Sequence, residues 1–251
     1  MKVFDVLKFL EGQAPPELAA DYDNIGLLVG DNKAVVSGIV VSLDCTTDAI
    51  DMAQRQGANL IVTHHPIIFH PLKDITADST VFSLIKSNIS VISMHTNLDA
   101  AEGGVNDTLC KVLEINDVKG ISPIGNIGFE ARIGSFTKSF DTDELAKYIK
   151  EKLGGMIKYV GCPKKVKTVA VCSGSGADLL QCAAQNGADA LITADIKHSK
   201  YIEAENLGLA LFDAGHFNTE DVIVDELCNK LSKQFKNAQI NSCHTTKIKC
   251  V

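Results

Sequence analysis

The sequence predicts an α/β protein made of two related α/β lobes from an internal repeat, with a metal cleft between them. Three observations carry that expectation. A strand–helix–strand pattern occurs twice along the chain. Its strands are apolar runs without polar alternation, as suits strands covered on both faces. Histidines and carboxylates recur at matching points just after those strands, and ligands of parallel α/β sheets gather at the carboxyl ends of strands.

The elements follow in order. "FDVLKFLE" near the start has the apolar spacing of an amphipathic helix. "IVVSLDCTTDAIDMAQRQGANLIVTHHP", from Ile39, reads as a β-branched run, a polar turn, a helix ended by Gly57, and a second apolar run. "VISMHTNLD" adds a further strand and the triplet His95-x-Asn97-x-Asp99. "GISPIGNIGFEARIG" is rich in Gly and Pro and reads as a linker. "TDELAKYIKEKL" is a second amphipathic helix.

"VAVCSGSGADLLQCAAQNGADALITADI", from Val169, repeats the first unit at one constant offset. Val41 matches Val171, Asp48 matches Asp178, Ala53 matches Ala183, Gly57-Ala58 matches Gly187-Ala188, and Thr63 matches Thr193. Past a shortened connection, "LFDAGHFNTE" sets His216-x-Asn218-x-Glu220 against the triplet of the first copy. "TEDVIVDELCNKLSKQF" places Ile223, Leu227, Leu231 and Phe235 on one helical face, with Asn218 or Thr219 as its cap. The expected lobes are therefore 1–125, with a C-terminal helix over 219–251 packing back on it, and 126–220.

Composition narrows the function. A chain of 251 residues can bury a full core, and its net charge of -7 argues against general binding to nucleic acid phosphates. Eight cysteines include no C-x-x-C pair, so a zinc ribbon is not expected, and a reduced cytoplasmic setting is. The start "MKVFDVLKFLEG" is too polar for a signal sequence, and no apolar run reaches membrane-spanning length.

Three of the seven histidines, His64, His65 and His70, fall in "THHPIIFHP". His64 and His65 stand where the second strand ends, and His95, Asp99, His216 and Glu220 occupy matching places in the two copies. Imidazole and carboxylate together are the ligand set of Zn, Fe, Mn or Co. Neighbours on an extended chain point in opposite directions, so His64 and His65 are expected to serve two ions, with Glu220 between them. His70 and His198 are weaker candidates. Asp44, at a strand end, is a candidate contact to substrate or to a ligand, and Asp195 aligns with His65. "CSGSGADLL" is read as a tight turn, with a phosphate cradle as its alternative.

"DYDNIGLLVG" from Asp21, "THHPIIFHPLK" from Thr63, "SMHTNLDAAEGGVND" from Ser93 and "DAGHFNTE" from Asp213 together resemble the GTP cyclohydrolase I type 2 homologue family, the NIF-three-like proteins. A tryptophan often stands in that family where Tyr22 stands here. The resemblance implies a two-lobed α/β fold, a dinuclear centre of divalent metal ions (Fe, Zn or Mn) and a toroidal homohexamer. It also implies a ligand set: His65 with Asp99 on one ion, His64 with His216 on the other, Glu220 bridging, and His95 beside the centre. The expected function is hydrolysis of a small nucleotide-like substrate by metal-activated water, with Glu220 and His95 as catalytic residues. A non-catalytic metal-binding, storage or scaffold ring is the alternative.

Overall fold

The computed structural model describes residues 1–125, 127–246 and 248. In chain order the elements are α1 (Val3–Gln13), β1 (Gly26–Val29), β2 (Ile39–Ser42), α2 (Thr47–Gln56), β3 (Leu60–Thr63), α3 (Thr80–Lys86), β4 (Ser90–Ser93), α4 (Thr96–Ala100), α5 (Val105–Val112), β5 (Asn116–Ile124), β6 (Gly128–Phe140), α6 (Thr142–Leu153), β7 (Lys158–Val160), β8 (Val166–Val171), α7 (Leu180–Gln185), β9 (Ala190–Thr193), α8 (His198–Leu207), β10 (Ala210–Asp213), α9 (His216–Glu220), α10 (Val222–Gln234) and β11 (Ile240–Cys243). The chain forms two compact units. One is Met1–Leu98 with the segment from Ile223 through β11; the other is Asp99–Val222.

The first unit holds a five-stranded sheet in the order β1-β4-β3-β2-β11. β2, β3 and β4 are parallel and in register, β11 joins β2 in parallel, and β1 closes the other edge antiparallel to β4. Val40, Ile61 and Val91 point to one face and pack with Ala49, Ile50 and Ala53 of α2 and Val81 and Leu84 of α3. Their sequence neighbours Ile39, Val41, Leu60, Val62 and Ile92 are equally buried. Burial on both faces is what runs without polar alternation require. Thr46 caps α2 by accepting from Ala49 N at 3.2 Å, and Gly57 ends it in the left-handed conformation.

The second unit holds a six-stranded sheet, β5-β6-β8-β9-β10-β7. Val169, Val171, Ile192 and Phe212 pack with Leu109 of α5 and with Leu145 and Ile149 of α6. Ala170, Leu191 and Leu211 pack instead with Leu180 and Ala183 of α7 and Ala204 of α8. Here too the alternate residues of each strand feed two apolar layers.

Three sequence expectations change. The Gly/Pro-rich "linker" is the antiparallel β5–β6 hairpin, with Ile124 opposite Gly128; a Gly-rich turn between two strands has the same composition as a linker. The last helix does not start at a cap on Asn218 or Thr219. A short helix, α9, already begins at His216, and Asn218 and Thr219 have other partners. The segment after 234 is not helix throughout, because β11 adds a strand there. Cys250 lies outside the described residues. Among the described residues no helix is long and apolar enough to cross a membrane.

Candidate metal centre

In the first unit the site begins where β3 stops pairing. His64 and His65 follow Thr63 in a bend. Thr63 Oγ1 donates to the His65 carbonyl at 2.8 Å, and His65 N donates to Leu43 O at 3.0 Å. The bend cancels the strand's alternation, so the two rings do not point apart. Their centroids are 5.1 Å apart with planes tilted by 37°. His95, just before α4, joins them at 5.3 Å from His64 and 5.6 Å from His65. The three residues offer ligand atoms that all lie within 4.8 Å of one another.

Each of these imidazoles is oriented through Nδ1. His64 Nδ1 donates to the Met94 carbonyl at 2.8 Å, His65 Nδ1 to Asp44 Oδ1 at 2.7 Å, and His95 Nδ1 to Asp23 Oδ1 at 2.8 Å. Carbonyl and carboxylate oxygens only accept, so Nδ1 carries a proton in all three, which makes Nε2 the nitrogen that could ligate a metal. That is the usual arrangement of a histidine poised to ligate a metal. Asp23 has a fully buried side chain and also accepts from Thr96 N at 3.0 Å and Thr96 Oγ1 at 2.5 Å. Burial raises its pKa, but the hydrogen bonds from His95 and Thr96 outweigh burial and hold the carboxyl well below the usual range.

In the second unit α9 carries His216 and Glu220 one turn apart, with His216 Nε2 2.9 Å from Glu220 Oε2. His216 Nδ1 donates to Asp195 Oδ2 at 2.6 Å. The Glu220 hydrogen bond, reinforced by Asp195, outweighs desolvation and raises the His216 pKa to about 9. Glu220 is buried, and Gly174 makes room for it. A Cβ on Gly174 would stand 2.1 Å from Glu220 Oε1, and the residue's φ of +58° is unfavourable for a side chain in any case.

Asp99 is fixed from the same unit. Ser173 Oγ donates to Asp99 Oδ1 at 3.1 Å, and buried Asn106 donates to the Asp99 carbonyl at 3.1 Å while accepting from Ser173 N at 2.8 Å. Arg132 holds the turn that follows, donating to Ala101 O at 2.9 Å and to Asp107 Oδ1 at 2.7 Å. Cys172 lies nearby. Burial, with Asp99, Glu130 and Glu220 around it, pushes its thiol up, which disfavours a thiolate ligand.

The "CSGSG" loop is not the phosphate cradle. Ser173 N, Gly174 N and Gly176 N donate to Asn106, Thr219 and Thr193, so these amides are already used. His70 and His198 are exposed, His70 beside Phe69.

A sequence profile described as Duf34/NIF3 (NGG1p interacting factor 3) matches residues 1–249. The chain belongs to the DUF34/NIF3 family. Among relatives in the family, a Clostridium perfringens protein named GTP cyclohydrolase 1 type 2 homolog is 36% identical over 244 residues, covering 93% of this chain and 92% of its own. A Clostridium acetobutylicum protein of the same name is 35% identical, covering 96% and 94%. The crystal structure of Staphylococcus aureus hypothetical protein SA1388 superposes with a TM-score of 0.92 at 26% identity, covering 100% and 99%. Reduced HcgD from Methanocaldococcus jannaschii gives 0.83 at 30% identity, covering 96% and 97%.

For this NIF3-family chain the sequence reading missed Asp23, Ser173 and Asn106. Asp23 lies in a motif quoted for the resemblance, but its partner His95 is remote in sequence. Asn106 and Ser173 carry no periodicity or spacing signal, because their roles are set by which loops meet.

Proposed function

We propose that this chain is a metal-dependent hydrolase of a small nucleotide-like molecule, built on a dinuclear centre. The observation that supports it is the donor set. One unit offers three imidazoles held through Nδ1, and the other offers an imidazole–carboxylate pair beside a second fixed carboxylate. In this reading His64, His65, Asp99, His216 and Glu220 hold two divalent ions, and nitrogen and oxygen donors fit Fe, Zn or Mn. Such ions supply Lewis-acid polarisation and lower the pKa of water.

The chain's own groups do the rest. Asp44 and Asp195 keep Nε2 of His65 and His216 aimed outward from their hydrogen bonds. Glu220 takes two roles, ligand and proton acceptor. His95, oriented through Nδ1 by Asp23, is the group placed to move a proton. The name shared by the clostridial relatives motivates a nucleotide-like substrate. We also propose a toroidal homohexamer working in a reducing cytoplasm, where the cysteines stay thiols.

The test is an assay of metal-reconstituted protein across GTP, other nucleotides and phosphoesters, beside E220Q. Turnover lost in E220Q together with bound metal is the expected result. Full activity with normal metal content in E220Q refutes the reading. Silence on every substrate combined with reversible metal transfer favours a storage or scaffold ring instead. Light scattering reads the oligomer.

A further inference from the structure

Tyr22 lies in the motif that begins at Asp21 and takes no part in the donor set. Tyr22 is 72% exposed although the backbone around it is fastened on both sides. Before it, Ala20 N donates to Thr96 Oγ1 at 2.9 Å. After it, Asp23 is buried against His95 and Thr96, and Asn24 Nδ2 donates to Ile68 O at 2.5 Å. The last bond ties the turn to the loop that carries Phe69, itself 39% exposed. The two rings have centroids 6.3 Å apart, tilted by 60°. Phe69 in turn stands 6.1 Å from His95, edge to face at 87°. A continuous line of rings therefore runs from solvent to the imidazole cluster.

We propose that Tyr22 and Phe69 form the stacking face for a flat heteroaromatic ring whose polar part reaches the His64–His65–His95 cluster. The inference rests on the hydrolase reading and names the substrate class for it. Aromatic faces accept nucleobases by stacking, largely regardless of base identity. A held turn loses little further freedom when a ring settles on it, which favours binding. A few polar groups beside an apolar face is the usual make-up of a small-ligand site. The neighbouring imidazoles are polar and suit a hydrogen-bonding group better than an apolar peptide side chain. Leu72 and Ile75, further along the Phe69 loop, are also exposed, so a second copy of the chain is the competing occupant.

The chain has no tryptophan, so Tyr22→Trp places its only indole on the proposed face at an exposed position. Indole emission of the full-length Y22W protein, zinc-loaded and metal-free, is titrated with GMP and, as a ring-free control, with ribose 5-phosphate. Saturable quenching by GMP alone is expected. Adding Phe69→Ala should weaken that binding about tenfold while bound zinc, read by elemental analysis, stays constant. Equal responses to the two probes, no response to GMP, or no effect of Phe69→Ala overturns the stacking face. Ligand-free emission that changes on dilution overturns it too, in favour of a second copy. Zinc content separates the two claims. A zinc-loaded protein blind to GMP removes the stacking face alone. A wild-type chain that takes up no zinc, iron or manganese removes the hydrolase reading, while the metal-free titration still decides the ring.

Discussion

β4 runs antiparallel to β1 and parallel to β3; β10 stands in the same relation to β7 and β9. The polar clamps of the two units match as well. Asn97 Nδ2 donates to Ala14 O at the end of α1, and Asn218 Nδ2 donates to Leu153 O at the end of α6, at 2.7 and 2.9 Å. Thr63 and its counterpart Thr193 both donate to a loop carbonyl, but to non-equivalent ones, that of His65 and that of Gly174. The donors, in contrast, have changed places. Asp44 orients His65 in the first unit, whereas the matching position in the second is Gly174, which leaves space for Glu220. The counterpart of His65 is Asp195, and it orients His216. The repeat keeps hydrogen bonds that close the backbone and varies what faces a ligand. Backbone groups must be satisfied in both units, while the ligand chemistry of each is free to differ.

The two units diverge most at Gly174. G174A should displace Glu220 and cost most of the bound metal, about a hundredfold or more in affinity, read by elemental analysis and metal titration. The matched change D44G should leave the fold intact and loosen only His65.

A second effect is pH dependence at the second unit's pair. His216 binds a proton up to about pH 9, so a metal that needs its Nε2 must displace that proton. Apparent affinity should rise by up to about tenfold per pH unit until about 9 and then level, measured by competition with a chelator. The sign for stability is opposite. The raised pKa contributes stability to the metal-free protein that is complete below 6.5 and disappears as pH climbs through about 9. Thermal melts of metal-free protein should therefore decline across that window, and H216N should flatten the decline.

D44A and D195A each remove an orienting carboxylate. Each should weaken metal binding about 10–100-fold with little change in melting temperature. A larger loss from D44A than from D195A would show that the first unit holds the metal more tightly.

The smallest effects belong to the shared clamps. N97A breaks a fully buried hydrogen bond and should cost about 1–3 kcal/mol, while N218A, half-buried, should cost about 1 kcal/mol. Denaturant titration distinguishes them. Equal costs would mean that burial does not separate the two clamps.

The repeat, its strands and most of its helices were legible in the sequence because apolar periodicity and glycine stops are local signals. His64, His65 and the two His-x-Asn-x-acid triplets were legible because they recur at matched spacing. The β5–β6 hairpin was not, since a turn and a linker share their composition. β11 was not, since a short edge strand has too little pattern of its own. The direction of the His64 and His65 rings was not, because periodicity describes a strand and not the bend beyond it.

The chain alone specifies the two α/β lobes, through burial patterns that any covered parallel strand must obey, and its recurring histidines and carboxylates supply residue types able to hold a cation. Tertiary contacts alone set the anchoring of His64, His65, His95 and His216 through Nδ1. Asp23 meets His95, Asp195 meets His216 and Gly174 yields to Glu220 across long stretches of chain, and such pairings depend on packing rather than on local pattern.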